Sequence, residues 1–226
     1  SPVTKLRDQV AALRAIWGSW QTGEKLNFRS DTYKLTLMTP FFNPGPIKHP
    51  DIPIYIAGVN KGMARLTGEV ADGFLVHPFH SPEYLKTVIQ PEIEGGAKKA
   101  GRDKKSISIA VTAFVISNAE QKEIVRQQIA FYASTPSYRP VMAMHGWEEV
   151  AERLSAAAAR GNWMEMPGMI TDEMLEVFAT TAAAQELPAA LKERYSGTAD
   201  RLSLYTPFPS GEGSGFWEKF VKAWLN

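Results

Sequence analysis

Apolar residues recur along this chain with two different spacings, and the alternation between them predicts its elements. Leu6, Val10, Leu13 and Trp17 stand three or four residues apart, which predicts a helix over residues 3–20 with Ser1-Pro2 as its cap. Residues 36–53 are rich in proline and carry no period, so they form a loop or extended excursion. The apolar run 54–57 has the length of a strand, residues 58–62 supply a turn, and Met63, Leu66 and Val70 return to helical spacing. Asp72-Gly73 then punctuates the chain before a second strand, 73–76. A helix over 82–100 closes at Gly101, and the run 107–116 is so continuously apolar that it predicts a third strand buried on both faces. Helical character continues over 120–194, broken at Thr135-Pro136, at Gly161 and at Met166-Pro167-Gly168, before a fourth strand at 201–205. Residues 210–215 predict a turn, and Phe216, Phe220 and Trp224 share one face of a last helix over 216–225. Strand alternating with helix implies a parallel sheet covered by helices.

The turn at 58–62 carries the strongest chemical signal. Its backbone N–H groups and the start of the following helix converge on one point, where unpaired donors and the helix dipole favour an anion. The phosphate of a cofactor is the natural occupant. Ala57-Gly58-Val59-Asn60-Lys61-Gly62 is not a dinucleotide crossover, because its two glycines lack the third that Gly-x-Gly-x-x-Gly demands, and no Gly-Lys-Ser/Thr follows as in a P-loop. A plain connecting turn would show the same pattern, so both readings stand on the residues alone.

His77 ends the second predicted strand, where its imidazole can face the mouth of the sheet and serve a substrate carbonyl as donor or acid, or simply cap the sheet. His80 lies three residues on, but His-Pro-Phe-His puts the two rings on no shared helical face, and neither cysteine nor carboxylate completes a zinc set. Phe131, Tyr132, Tyr138, His145 and Trp147 fall in the long helical region, as packing between helices or as a roof that excludes water.

Composition narrows the classes. The chain has 226 residues, 44% of them hydrophobic and 22% charged, an ordinary globular balance. Lys+Arg number 25 against 24 for Asp+Glu, a formal net charge of +1, so no bulk field draws nucleic acid or an acidic membrane. Cysteine is absent, which removes disulfides and thiolate chemistry. No apolar stretch approaches the ~20 residues of a membrane span, and the cytoplasm is the expected compartment.

Several stretches together resemble the luciferase-like monooxygenase superfamily, and within it the oxidoreductases that depend on the deazaflavin coenzyme F420. Pro53-Ile54-Tyr55-Ile56-Ala57-Gly58, followed by a helix and by Ala71-Asp72-Gly73, resembles the family's fifth-to-sixth-strand segment. Leu13-Arg14-Ala15-Ile16-Trp17 resembles a family helix, Phe28-Arg29-Ser30-Asp31-Thr32-Tyr33 the excursion after it, and Gly101-Arg102-Asp103 the entry to its seventh strand. Gln128-Ile129-Ala130-Phe131-Tyr132 and Tyr138-Arg139-Pro140 resemble one subgroup. The likeness covers residues 1 to about 208.

The resemblance implies a (β/α)8-barrel of the TIM type in which this chain supplies only the C-terminal four strands and a helical excursion over about 119–195, as a single domain over 1–226. Such barrels use roughly 250 residues. The expectation is therefore the C-terminal part of a longer protein, with open sheet edges that favour a homo-oligomer or association with a missing N-terminal half. The resemblance also implies that Ala57, Gly58, Val59, Asn60, Gly62 and Met63 hold the cofactor phosphate, with Lys61 as a nearby cation or a solvated one. F420 is the expected cofactor, FMN the alternative, and a small organic molecule the substrate. The implied activity is hydride transfer, and a non-catalytic remnant acting as an interaction module is the rival reading.

Overall fold

The computed structural model describes residues 1–205 and 213–225. Helix α1 (Pro2–Thr22) opens the chain and stops at Gly23, whose φ of 72° is left-handed and whose N–H donates to the Ser19 carbonyl. Strands β1 (Phe28–Arg29) and β2 (Lys34–Leu35) form a small antiparallel hairpin. The proline-rich loop that follows exposes Leu37, Phe41 and Phe42. Then come β3 (Tyr55–Gly58), α2 (Lys61–Val70), β4 (Gly73–Val76), and a helical run made of α3 (Pro82–Tyr84), a π-turn at Leu85–Ile89 and α4 (Gln90–Lys99). The π-turn lies just ahead of Pro91, which has no N–H to continue the regular ladder.

Beyond it run β5 (Ser108–Ile116), α5 (Ala119–Ala133), α6 (Arg139–Ala143), α7 (Glu148–Ala159), α8 (Asp172–Phe178), β6 (Ala179–Thr181), α9 (Leu187–Tyr195), β7 (Arg201–Leu204) and α10 (Gly213–Leu225). Of the predicted turn at 210–215, residues 210–212 lie outside the described residues, and 213–215 are not turn but the first residues of α10, which begins three residues earlier than expected.

The sheet is parallel throughout and runs β3-β4-β5, after which β5 divides its far edge. Ala110 to Ala113 pair with β7, and Phe114 to Ile116 pair with β6. The four expected strands are thus consecutive parallel neighbours. Two expectations need correction. The stretch 119–195 is not purely helical, because β6 interrupts it; three residues are too few to show a period of two. Nor is β5 buried on both faces over its whole length: Ile109, Val111 and Ala113 are buried while Ser108, Ala110 and Thr112 are partly exposed. The second face is left open over Ala110 and Thr112 but is covered at the C-terminal end of β5, where Tyr132 of α5 packs near the buried Phe114, and among the described residues the sheet does not close.

Its open face carries Ala57, Leu75, Thr112 and Ser203, with Leu75 44% exposed. The Tyr55 ring of β3 lies over Gly73, where a Cβ would stand 2.2 Å from the ring, and the Arg201 guanidinium of β7 sits 5.7 Å from the same ring's centroid. Side chains from the two ends of the sheet therefore meet across this face.

One device repeats at the strand entrances. Asp72, before β4, accepts from the Ile54 N–H at 2.8 Å and returns its own N–H to the Ile54 carbonyl at 2.8 Å. Asp200, before β7, does the same with Ile109, at 2.7 and 2.8 Å. Each carboxylate fixes the register of two parallel strands at their first residues. Asp72 also receives Arg14 at 2.9 Å, and Glu69 receives Lys99 at 2.9 Å together with Arg7, so ion pairs strap α1 to α2. Beneath them Val10, Ile56, Leu66 and Ala71 form a small apolar cluster apart from the main core.

Candidate functional site

The sequence signal at 58–62 becomes a tight connection from β3 into α2. Gly58 has no room for a side chain: a Cβ there would lie 2.7 Å from the Met63 Cβ, because the first turn of α2 folds back over the strand end. Asn60 occupies the N-cap in extended conformation, φ −102° and ψ 159°, and its carbonyl accepts the first helical bonds from the Met63 and Ala64 N–H groups at 3.2 and 3.3 Å. An N-cap asparagine usually turns its side chain onto the N–H of the second or third helical residue. Here it does not. Asn60 Nδ2 instead donates to the Ser137 carbonyl at 3.1 Å, 77 residues away. No protein acceptor pairs with the backbone N–H groups of Val59, Asn60, Lys61 or Gly62 among the described residues. Asn60, Lys61 and Gly62 are exposed, and Ala57, Val59 and Met63 flank them.

His77 follows β4 directly, and its N–H reaches the Gly58 carbonyl at 3.4 Å, so ring and turn share the C-terminal edge of the sheet. Both ring nitrogens are engaged. Nδ1 accepts the Phe79 N–H at 3.1 Å, and a backbone N–H only donates; Nδ1 therefore carries the lone pair, and in the neutral ring the proton sits on Nε2. Nε2–H then donates to the Tyr138 hydroxyl at 3.2 Å. Tyr138 stacks on the imidazole with centroids 4.7 Å apart at 28°, and Tyr132 meets it edge-on at 4.7 Å and 87°. Burial holds His77 below the usual imidazole range and raises Tyr138 above the usual phenol range, so both are neutral near pH 7. The Tyr132 hydroxyl lies 2.6 Å from that of Tyr205, which follows β7.

His80 has the opposite tautomer. Its Nδ1 faces the His77 carbonyl at 2.8 Å and must donate, which leaves Nε2 to accept the Tyr195 O–H at 3.2 Å. The ring is 2% exposed, and burial pushes it down to about 4. It is a structural brace.

The structure thus brings the 57–63 turn, His77, Tyr132 and Tyr138 to one place. Phe131 instead faces outward, 53% exposed beside Trp163. His145 and Trp147 pack on Phe178, and His145 Nε2 lies 2.9 Å from the Ser81 hydroxyl. Ser137, Phe114 and Tyr205 belong to the same neighbourhood as the turn and His77, and no local pattern marks them. Tertiary folding alone makes them neighbours.

Comparison with known proteins gives a consistent answer. The profile described as luciferase-like monooxygenase matches residues 1–201. An uncharacterized protein of Mycobacterium bovis is 40% identical over 207 residues, 89% of this chain and 61% of that protein. The 5,10-methylenetetrahydromethanopterin reductase of Methanolobus tindarius is 32% identical over 198 residues, 85% of this chain and 57% of that enzyme. Among solved structures, the coenzyme F420 dependent tetrahydromethanopterin reductase of Methanopyrus kandleri superposes with a TM-score of 0.67 at 24% identity, over 84% of this chain and 55% of that one. The chain spans roughly three fifths of the length of these curated relatives.

Proposed function

The chain belongs to the luciferase-like monooxygenase family, and from that premise we propose that it is an oxidoreductase part that grips the phosphate of coenzyme F420 and serves hydride transfer to a small organic substrate. The observation that carries this reading is the β3-to-α2 turn. Among the described residues, four successive N–H groups, Val59 to Gly62, are left without protein acceptors at the head of a ten-residue helix, while the N-cap side chain, Asn60, is turned away to Ser137. A phosphate oxygen satisfies such donors and the helix dipole together. The motif resemblance to deazaflavin-dependent oxidoreductases, and similarity to a relative named F420-dependent glucose-6-phosphate dehydrogenase in Nakamurella multipartita, favour F420 over FMN.

Ala57, Gly58, Val59, Asn60, Gly62 and Met63 would surround the phosphate, and the exposed Lys61 ammonium adds a nearby cation. When bound, the deazaflavin supplies the two-electron hydride chemistry. This chain's residues do the rest. The turn anchors the cofactor tail, and the Tyr132, Phe114, Phe79 and Tyr205 rings keep water from the end of the sheet beside His77. His77 stands at the reacting side of that wall. Whole-protein turnover is proposed for an assembly, either with further copies or with an N-terminal half barrel, in which more of the ring wall is present. Among the described residues no helix is long and apolar enough to cross a membrane, and a cytoplasmic setting fits the proposed chemistry.

The test is a fluorescence titration of F420 against the native chain and Gly62→Asp. Aspartate in the first turn suits the helix dipole, and its Cβ meets only the Val3 side chain, at 3.3 Å, which a small shift relieves, so the variant folds while its negative charge repels the phosphate. Binding weakened at least ~10-fold supports the reading, as loss of about 1.4 kcal/mol would give. Equal affinity for both proteins refutes it.

A further inference from the structure

We propose that the Tyr138 hydroxyl, and not the His77 imidazole, is the proton donor this site offers to a substrate oxygen, with His77 as the residue that positions it. The proposal rests on the functional reading above and assigns the proton within it.

Three relationships lead there. First, the imidazole has no free nitrogen: Nδ1 holds the Phe79 N–H at 3.1 Å and Nε2–H is given to Tyr138 at 3.2 Å. A substrate oxygen could take that proton only by breaking the bond that orients the ring. Second, once Tyr138 Oη accepts from Nε2–H, its own hydrogen must point elsewhere, and no second protein partner takes it among the described residues. The neighbouring phenol is not equivalent, because Tyr132 pairs with another phenol, Tyr205, at 2.6 Å, where either hydroxyl can donate and no fixed donor sets the direction as His77 does for Tyr138. Third, Tyr138 is placed by the cofactor turn itself. Asn60 Nδ2 holds the Ser137 carbonyl at 3.1 Å, so the residue immediately before Tyr138 is tied to the N-cap of α2. The anchor for an anion and the hydroxyl that faces a reacting centre are thereby one rigid unit.

The proton balance is simple. Reduction of a carbonyl adds hydride to carbon and moves the C=O pair to oxygen, with a reduced deazaflavin as the two-electron donor. The Tyr138 O–H bond breaks, its proton goes to that oxygen, and its electron pair stays on Oη. Nε2–H of His77 stabilises the resulting phenolate until solvent returns a proton. A phenol that is neutral through the neutral range is suited to this, since it retains its proton until an alkoxide forms. The substrate class follows: a small ketone, aldehyde or similar unsaturated acceptor whose oxygen can lie against Oη.

The experiment has two arms, the first on the full chain. Nitrogen-15 NMR of the histidine rings is expected to show His77 neutral with its proton on Nε2, and an ultraviolet titration is expected to show Tyr138 ionising at higher pH in His77→Phe, by about one unit as the phenolate loses its donor. An Nδ1-protonated or charged His77 at neutral pH, or a Tyr138 titration unmoved by His77→Phe, overturns the wiring. In the second arm, this chain joined to an N-terminal half barrel, an assembly for which turnover is proposed, is loaded with F420 and reduces a panel of simple aldehydes and ketones. Tyr138→Phe is expected to lower turnover at least ~100-fold while F420 affinity stays within about twofold. Retained turnover overturns the role. Failure of native protein to bind F420 overturns the functional reading and the donor role with it, a result told apart by the first arm, which needs no cofactor.

Discussion

Gly68 of α2 and Gly96 of α4 lie back to back, so that the two helices touch through their main chains. A Cβ at Gly68 would stand 2.0 Å from the Ile93 carbonyl oxygen, and one at Gly96 would stand 2.0 Å from that of Arg65. Glycine usually weakens a helix, by roughly 1 kcal/mol relative to alanine. Here it is the condition for close packing, and α2 is the helix whose first turn forms the candidate anion site.

Gly68→Ala and Gly96→Ala are therefore expected to destabilise the fold by about 1–3 kcal/mol or more, despite alanine's better helix propensity. Urea unfolding of each variant checks this. A higher midpoint for either would show that α2 and α4 are not packed this closely.

Asn60→Ser separates helix capping from the bridge to Ser137. Serine caps as well as asparagine but is too short to reach the Ser137 carbonyl. Stability is expected to change by less than about 0.5 kcal/mol, while the Ser137 and Tyr138 amides exchange faster with deuterium than in the native chain. Unchanged exchange there would mean that the bridge does not hold the turn.

Much of this architecture is visible in the residues before folding is considered. The helical stripe Leu6-Val10-Leu13-Trp17 and the short apolar runs around Ile56, Phe74 and Val111 each obey a local period, and local periods survive into α1, β3, β4 and β5. The turn at 58–62 is legible for the same reason. What is not legible depends on distant partners. Asn60 reads as part of that turn, and nothing within a few residues says that its side chain is taken by Ser137. Asp72 reads as punctuation and nothing local marks Asp200, although each clamps the entrance of a neighbouring strand. His77 could be placed at a strand end, yet its tautomer follows only from the Phe79 N–H and the Tyr138 hydroxyl. β6 escaped because Met174, Leu175 and Phe178 carry the helical signal right up to Ala179.

The open face of the sheet has a measurable consequence. Among the described residues β3 pairs on one side only, with β4, and Leu75 in the middle of β4 is 44% exposed. Unpaired strand edges beside apolar surface favour association. Sedimentation is expected to show concentration-dependent species larger than one chain, reduced by Leu75→Lys. A single monomeric species at all concentrations would show that this face is content in water.

The last expectation concerns acid. His80 is buried, both its nitrogens are bonded to neutral groups, and its imidazole is held near 4 against an ordinary 6.5. The unfolded chain therefore binds a proton below pH 6.5 that the folded chain refuses. Its contribution to stability is fully present above pH 6.5 and is lost progressively as pH falls towards about 4. Over that whole window the loss is roughly 3 kcal/mol, at 1.36 kcal/mol per unit. His77 and His145, also lowered by burial, act with the same sign, so the native curve alone does not isolate His80. The difference between native protein and His80→Asn does. Asparagine keeps a donor near the His77 carbonyl but does not titrate, so the variant is less stable at neutral pH and its stability falls less steeply with acid. Urea midpoints measured across the window are expected to converge as pH drops; parallel curves would mean that His80 is free to take a proton inside the fold.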